Sequence, residues 1–489
     1  MSTNSTNHNH NPETAPLLPT SSPPPHHDHN HVHNHGESYR SGFSPSHFLS
    51  ITLRSSCRAS SLVNILWPFV PAALLLQLFP SHDLAKFITA YIAVIPSANL
   101  LGFAGQEFAR KMPKVLGILI EVGFGGLVEG VLFLVLIWKS RNGTHGGGEG
   151  EEGGEEGEGN LIPIIQAAIL GSILTNLLLC LGLCFFFGGM RESRQKFHAI
   201  ISEVGTGLLL VAAFGLLIPS AFYSALKSEA VAVLGHERFT RGKLQEDVLS
   251  VSHATSIALI VAFGLYIWFQ ARSQHSIFDE VIEMDENRDA DRHADMEKPK
   301  FTMTETVVAL VVSLTFVTLL LVFLVDGIEY IVESGVPDQF LGLILLPLVE
   351  KAAEHLTAID EAWDGVINVA LYHCLAPSIQ TALFNGPLVV LVGWALGKPM
   401  DLNFEIFMIG LLVLSILVVG NFLRDGESNW LEGALLVIVY VIIAIACWYY
   451  PNPDVATSNS VEIVNVSMTM ETLQKLQKIL ELRASKGAN

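Results

Sequence analysis

The sequence predicts an all-α integral membrane protein with about eleven transmembrane helices, arranged as two inverted five-helix repeats plus an extra N-terminal span. Two observations predict the membrane class. Half of the 489 residues are hydrophobic and only 15% are charged, with a mean hydropathy of +0.44. Apolar windows of about 20 residues, enough to cross the hydrocarbon core, recur along most of the chain. A third observation predicts the repeats. In each half, a span bearing a glutamate precedes a span with a small-polar patch.

Residues 1–58 read as a disordered, His/Pro-rich cytosolic tail, because Pro23 to Pro25 and a Ser/Asn-rich composition cannot build a core. His26, His27, His29, His31, His33 and His35 could hold a transition metal loosely, but a solvated low-complexity tract is the favoured reading. Glu13-Thr14-Ala15-Pro16-Leu17-Leu18 is similar to an acidic dileucine sorting signal, a receptor-read address that anchors nothing itself. The polar start lacks a signal-peptide pattern, so the first span is expected to direct insertion.

Spans fall near 61–80, 84–104, 115–137, 161–188, 199–224, 251–270, 303–325, 340–360, 366–396, 404–423 and 430–450. With the N-terminus cytosolic, Arg110, Lys111, Lys114, Arg191, Arg194, Lys196 and Arg272 lie on the cytosolic side, as the positive-inside rule asks. Lys86, Lys139, Arg141 and Lys398 lie opposite, and the loop with Lys227, Arg238, Arg241 and Lys243 runs against the rule. This topology makes Asn142-Gly143-Thr144 a lumenal glycosylation sequon. Asn465-Val466-Ser467 is a second lumenal sequon. Residues 143–159 are almost only Gly and Glu, and 279–297 are also acidic. Either could gather cations at a pore mouth, although most such runs are solvated linkers. The domains are therefore the tail, a first repeat with its extra span at 59–272, an acidic cytosolic loop at 273–302, a second repeat at 303–451 and a C-terminal tail at 452–489.

The net charge of -19 comes largely from the acidic loops, and no basic footprint for nucleic acid is present. The five cysteines (Cys57, Cys180, Cys184, Cys374, Cys447) are scattered, with no disulfide framework or zinc spacing. No phosphate loop or nucleophile elbow supports an enzyme, and no cofactor is expected.

The functional residues come from the repeat. Val122-Gly123-Phe124-Gly125-Gly126-Leu127-Val128-Glu129 in the first half matches Leu345 through Glu354 in the second. Glu350, Lys351 and Glu354 share a helical face about 100° wide. Ionisable groups at membrane depth mark a site by default. The following spans carry Ser172 and Asn176 in one half and Ser378 and Gln380 in the other. Five spans per half give the halves opposite orientation, so Glu129 and Glu354 should meet across a pseudo-two-fold axis at the midplane. Gly125, Gly126, Ala352 and Ala353 should permit close helix approach. Hard divalent cations take oxygen ligands, and a glutamate pair can hold either protons or one such ion. Alternating access turns that competition into exchange.

The chain resembles the cation/proton exchangers, the CAX branch of the calcium/cation antiporters, and in particular the fungal vacuolar calcium/proton exchangers. The resemblance covers roughly residues 60–451. It is carried by Gly171 to Leu179, Cys184 to Gly189, Phe340 to Pro347, Ala352-Ala353-Glu354-His355, Ser378-Ile379-Gln380, Gly393 to Met400 and Asp425 to Gly433. It implies an integral protein of the vacuolar membrane or another endomembrane, moving Ca2+ into the compartment against protons. Glu129 and Glu354 would bind cation and proton in turn, with Ser172, Asn176, Ser378 and Gln380 as pathway oxygens. Asp326 and Glu329 fall where the family carries supporting acidic residues. A homo-oligomer is left open.

The departures fall on the site itself. The family's first-half motif is similar to Gly-Asn-Ala-Thr-Glu, and here it is Gly125-Gly126-Leu127-Val128-Glu129; an upstream family asparagine aligns with Glu121. The second-half motif is similar to Gly-Asn-Ala-Ala-Glu-His, and here Glu350 and Lys351 replace its first two residues. The Gly-Ser pair before Ser378 has become Ala376-Pro377. A lysine charge ~6 Å from a divalent ion repels it by roughly 5 kcal/mol at an effective dielectric of ~20. Lys351 could turn toward a carboxylate on another span and leave the pathway intact. It could instead favour a monovalent substrate (Na+ or K+), or leave a transport-dead regulator. Mn2+ is a further candidate ion.

Overall fold

The computed structural model describes residues 42–54, 58–79, 81–140, 160–227, 241–272 and 300–450, and nearly all of them are helical. The chain opens with α1 (Pro45–Arg54), α2 (Arg58–Val63) and α3 (Phe69–Leu76). The first half continues with α4 (Asp83–Arg110), α5 (Lys114–Gly125), α6 (Leu127–Lys139), α7 (Ile162–Leu174), α8 (Leu181–Arg191), α9 (Ala199–Leu226) and α10 (Arg241–Arg272). The second comprises α11 (Met303–Asp326), α12 (Ile328–Glu333), α13 (Asp338–Phe340), α14 (Leu346–Asp364), α15 (Ile367–Gln380), α16 (Gly386–Ala395), α17 (Ile406–Phe422) and α18 (Trp430–Trp448).

Among the described residues, seven helices are long and apolar enough to cross a membrane by length and composition: 83–110, 162–191, 199–226, 242–270, 303–333, 367–395 and 430–448. Ser60–Leu76 and Ile406–Phe422 are apolar but shorter. The segments 114–139 and 338–364 also form helices where spans are expected, but they are interrupted and carry the ionisable residues. The count of eleven thus rests on hydropathy, and seven spans rest on the helices themselves. Large apolar side chains on α9, α10, α17 and α18, among them Phe214, Trp268, Leu414 and Ile442, are exposed. That is the surface a bilayer would cover.

The two halves trade partners. α4 runs along α11, the opening helix of the other half. α8 packs on α18, and α16 packs on α10. α14 packs on α4, and α6 packs on α11. Such reciprocal packing is what two repeats related by a pseudo-two-fold axis produce.

Three wide π turns, Thr175–Cys180, Leu341–Leu345 and Thr381–Asn385, interrupt long helices near the middle of the bundle. Turns of this kind shift the phase of a helix and are frequent at functional sites. One is crossed closely. A Cβ on Gly171 would stand 2.2 Å from the carbonyl oxygen of Leu343, so only glycine lets α7 meet the turn 341–345.

The helix ends are tied together in pairs. Gln195–Lys196 (β1) and Glu427–Ser428 (β2) form a short antiparallel ladder beside Arg191 and Arg194. At the opposite end, the Lys398 ammonium donates to the carbonyls of Ile137, Trp138 and Ser140 at 2.6 Å each, closing the C-terminus of α6. Lys139 pairs there with Asp326.

The tail reading for 1–58 needs a correction within its last part. Residues 45–54 form α1, whose His47 Nδ1 lies 2.9 Å from Glu305 Oε2. Phe48 packs on Phe301 with ring centroids 5.4 Å apart. Both partners lie more than 250 residues away in sequence, so local composition carries no trace of them. The His-rich stretch, the acidic loops, both sequons (Asn142 included) and the C-terminal tail lie outside the described residues.

Candidate functional site

Glu129 sits in the first turn of α6, because the chain breaks at Gly126 before restarting as a helix. A helix N-terminus favours a carboxylate. Glu129 is 1% exposed. Thr381 Oγ1 lies 2.7 Å from each of its oxygens, and Asn385 Nδ2 donates to Oε2 at 3.0 Å. Both donors come from the wide turn 381–385 of the other half. Ser172 Oγ stands 3.5 Å from Thr381 Oγ1 and extends the polar line into α7.

α14 delivers the opposing charges. Lys351 is 1% exposed, and its Nζ lies 3.6 Å from Glu129 Oε2 and 3.5 Å from Glu354 Oε2. One ammonium therefore bridges a carboxylate from each half, and Lys351 does not turn out of the site. Glu350 is 2% exposed, and neither of its carboxylate oxygens has a hydrogen-bond partner among the described residues. His355 Nε2 lies 2.9 Å from Asn176 Oδ1, pinning α14 to the wide turn 175–180.

The Glu354 side chain is 34% exposed and lines a cavity of about 120 Å³. Asn99, Gln106, Thr357, Tyr372, His373 and Gln380 line it too. Apart from Gln380, which closes α15, these lie on the helix halves nearer Arg110 and the Arg191–Asp364 ion pair, so most of the lining sits on the side of the basic end of the bundle. Glu354 thus borders the cavity, while Glu129 is sealed.

The expected site residues divide as follows. Glu129, Lys351, Glu354 and Glu350 come together. Ser172 joins through Thr381, and Asn176 through His355. Gln380 borders the cavity and rests its amide against Gly126. Ser378 Oγ instead donates to the carbonyl of Cys374 on its own helix, at 2.9 Å. Asp326 and Glu329 are exposed, unlike the buried Glu129, Glu350 and Lys351. Asp326 pairs with Lys139, ten residues or about 15 Å along α6 from Glu129. The Glu121 side chain lies outside the described residues. Of the paired small residues, Gly126 makes a close approach, and Gly125 meets nothing.

Thr381 and Asn385 were missed by sequence reasoning. The signal was there: two polar residues four apart in an apolar run, directly after Gln380. The wide turn that aims them was not visible. Three cysteines that are scattered in sequence also meet in space. Cys180, Cys184 and Cys374 are fully buried, with Cys374 Sγ 3.5 Å from Cys180 Sγ and 4.0 Å from Cys184 Sγ.

Residues 82–272 and 305–449 match the family model described as sodium/calcium exchanger protein. The chain belongs to that family. Among curated relatives, the exchanger is 30% identical over 477 residues to the vacuolar calcium ion transporter of Cryptococcus neoformans var. grubii, covering 81% of this chain and 75% of that one. It is 33% identical over 396 residues to vacuolar cation/proton exchanger 2 of Oryza sativa subsp. japonica, covering 80% and 82%. It is 29% identical over 402 residues to the vacuolar calcium ion transporter of Schizosaccharomyces pombe, covering 82% and 88%. The solved structure of native YfkE shares the fold at a TM-score of 0.60 and 24% identity, over 79% of this chain and 100% of that one. An H+/Ca2+ exchanger CAX structure does so at 0.52 and 12%, over 88% and 98%. The expected membrane antiporter fold therefore holds.

Proposed function

We propose that the exchanger is a proton-coupled antiporter that moves Ca2+ from the cytosol into a vacuole-like compartment by alternating access. The observation that carries this reading is the position of Lys351. Its ammonium is held between Glu129 and Glu354, one carboxylate from each half, so a cation already occupies the place where a transported cation would bind. Glu129 and Glu354 bind Ca2+ and protons in turn. Thr381, Asn385 and Ser172 orient Glu129, and Gln380 offers an amide oxygen along the approach. The cavity at the basic end is the cytosolic entry, by the positive-inside rule. The names of the vacuolar relatives support both the ion and the compartment. The acidic stretch 273–302 is the cytosolic link between the halves.

Charge counting favours a divalent substrate. Relative to the family motif, Lys351 adds one positive charge and Glu350 adds one negative. With all three carboxylates ionised, the cluster and its one ammonium would carry two net negative charges, which one divalent ion neutralises. A monovalent ion would leave one charge uncompensated in a buried site, which is costly.

The test is proton-gradient-driven uptake into liposomes containing the purified chain, with Ca2+, Mn2+, Na+ and K+ offered separately. Calcium uptake that collapses with the gradient is expected. Sodium or potassium uptake without calcium would establish the monovalent reading, and no uptake of any ion would establish a transport-dead protein.

A further inference from the structure

We propose that Lys351 is a resident cation that leaves the Glu129–Glu354 pair by turning onto Glu350 whenever a transported ion enters. The inference rests on the exchange reading for its cargo, but not on which ion is carried. Its first ground is position. Oxygen ligands bind Ca2+ at 2.3–2.6 Å, and the Lys351 ammonium stands within 3.6 Å of both carboxylates such an ion would use. The two cations cannot share that space.

The second ground is order. Glu354 borders the cavity, whereas Glu129 and Lys351 are sealed. An ion arriving at Glu354 meets the ammonium before it can reach Glu129. The lysine therefore has to yield for both carboxylates to be engaged.

The third ground is a vacant destination. Glu350 is buried beside the lysine, and both of its oxygens lack a hydrogen-bond partner among the described residues. A buried carboxyl group with no partner is expensive to keep. It becomes satisfied if the neighbouring ammonium turns to it, and a four-carbon lysine stem with rotatable donors can make that turn. In the resting arrangement the ammonium serves Glu129 and Glu354. In the loaded arrangement it serves Glu350, and the ion serves the other two. Charge and hydrogen bonding are better matched in the loaded arrangement than they would be with the lysine fixed.

The claim separates from simple electrostatics through a double-mutant cycle. Ion binding is read as the concentration that half-shifts the melting temperature of the purified chain, for Ca2+, Mn2+, Na+ and K+. The proteins are the natural chain, Glu350→Gln, Lys351→Met and the double variant. Liposome uptake is measured on the same four. If Glu350 only supplies charge, Glu350→Gln weakens binding by the same factor whether residue 351 is Lys or Met. If Glu350 receives the lysine, the factor is at least about tenfold larger in the natural background, because the ammonium then has nowhere to go. Lys351→Met alone should bind ions more tightly. Equal factors in the two backgrounds would overturn the proposal. Coupling seen with Na+ but not Ca2+ would uphold the lysine movement while removing the calcium reading. No melting shift with any ion in any of the four proteins would overturn both.

Discussion

Thr381 Oγ1 lies 2.7 Å from both oxygens of Glu129, a hydrogen bond from the second half of the chain to the acid of the first. The donor sits at the start of a wide turn, and the acceptor sits just after a helix break. Two backbone irregularities, one from each half, thus meet at this hydrogen bond. A hydrogen bond to a charged group contributes about 1.5–3 kcal/mol. Thr381→Val keeps the shape and removes the donor, so ion uptake should fall about tenfold or more. Thr381→Ser should retain most of it. Equal activity in the valine and serine variants would show that the hydroxyl does not hold Glu129 in place.

Gly126 has a different task. A Cβ there would stand 2.2 Å from Gln380 Nε2 and 2.8 Å from Asn385 Nδ2. Gly126→Ala must therefore push both amides away from the Glu129 end of the site. Overpacking of this kind costs about 1–3 kcal/mol. The expected result is a lower melting temperature and a raised KM for the transported ion. Gly125→Ala meets no atom within contact distance and is the control. A Gly126→Ala protein with unchanged KM would remove the amide contact from the account.

These two residues show what the sequence made legible. Glu129 and Glu354 could be read because they recur with the repeat and because charge at membrane depth is rare. Lys351 was legible as an interloper on the same face. Thr381 and Asn385 were not assigned, because helical phase is counted at 3.6 residues per turn and a wide turn breaks the count. Asp326 and Glu329 were assigned by alignment to the family. Their side chains are exposed, and Asp326 is taken by Lys139 at the far end of α6. Cys374 joins Cys180 and Cys184 across 190 or more positions, a pairing that spacing cannot reveal. Hydropathy located the helices because each must satisfy its own backbone in lipid. It could not locate the irregular turns, which depend on packing between halves.

The wide turn 341–345 carries its own signature. Tyr91 on α4 donates its hydroxyl to the Leu345 carbonyl at 2.8 Å. A wide turn interrupts the regular intrahelical hydrogen bonding, and Tyr91 supplies a donor at its end. Tyr91→Phe removes only the hydroxyl, so about 1 kcal/mol of stability should be lost. Because the turn opens directly into the helix bearing Lys351 and Glu354, turnover should fall as well. Thermal melting and uptake on the one variant check both. A stable protein with unaltered turnover would mean that the turn needs no tether from α4.

Asp401 gives the molecule a pH-dependent joint on the side opposite the cavity. It lies in the loop between α16 and α17, where Gln166 of α7 donates to its Oδ1 at 2.8 Å. Burial raises its carboxyl pKa from 3.8 to about 6, while the Asn403 backbone N–H and the Gln166 amide pull the other way. A raised acid pKa means that the folded chain binds this proton more tightly than the unfolded chain does. The stabilisation is fully present below pH 3.8, declines as pH rises toward about 6, and is absent above that. Asp401→Asn cannot ionise, and its side-chain oxygen can still accept from Gln166. Melting temperature followed against pH should therefore show the asparagine variant gaining on the natural chain between pH 4 and 6.5, then holding a constant lead. The same carboxylate would be partly protonated in an acidic compartment and ionised at neutral pH, so burying Asp401 between α7 and the 396–405 loop should cost least on the acidic side. Parallel melting curves across that range would show that Asp401 is not the titrating group.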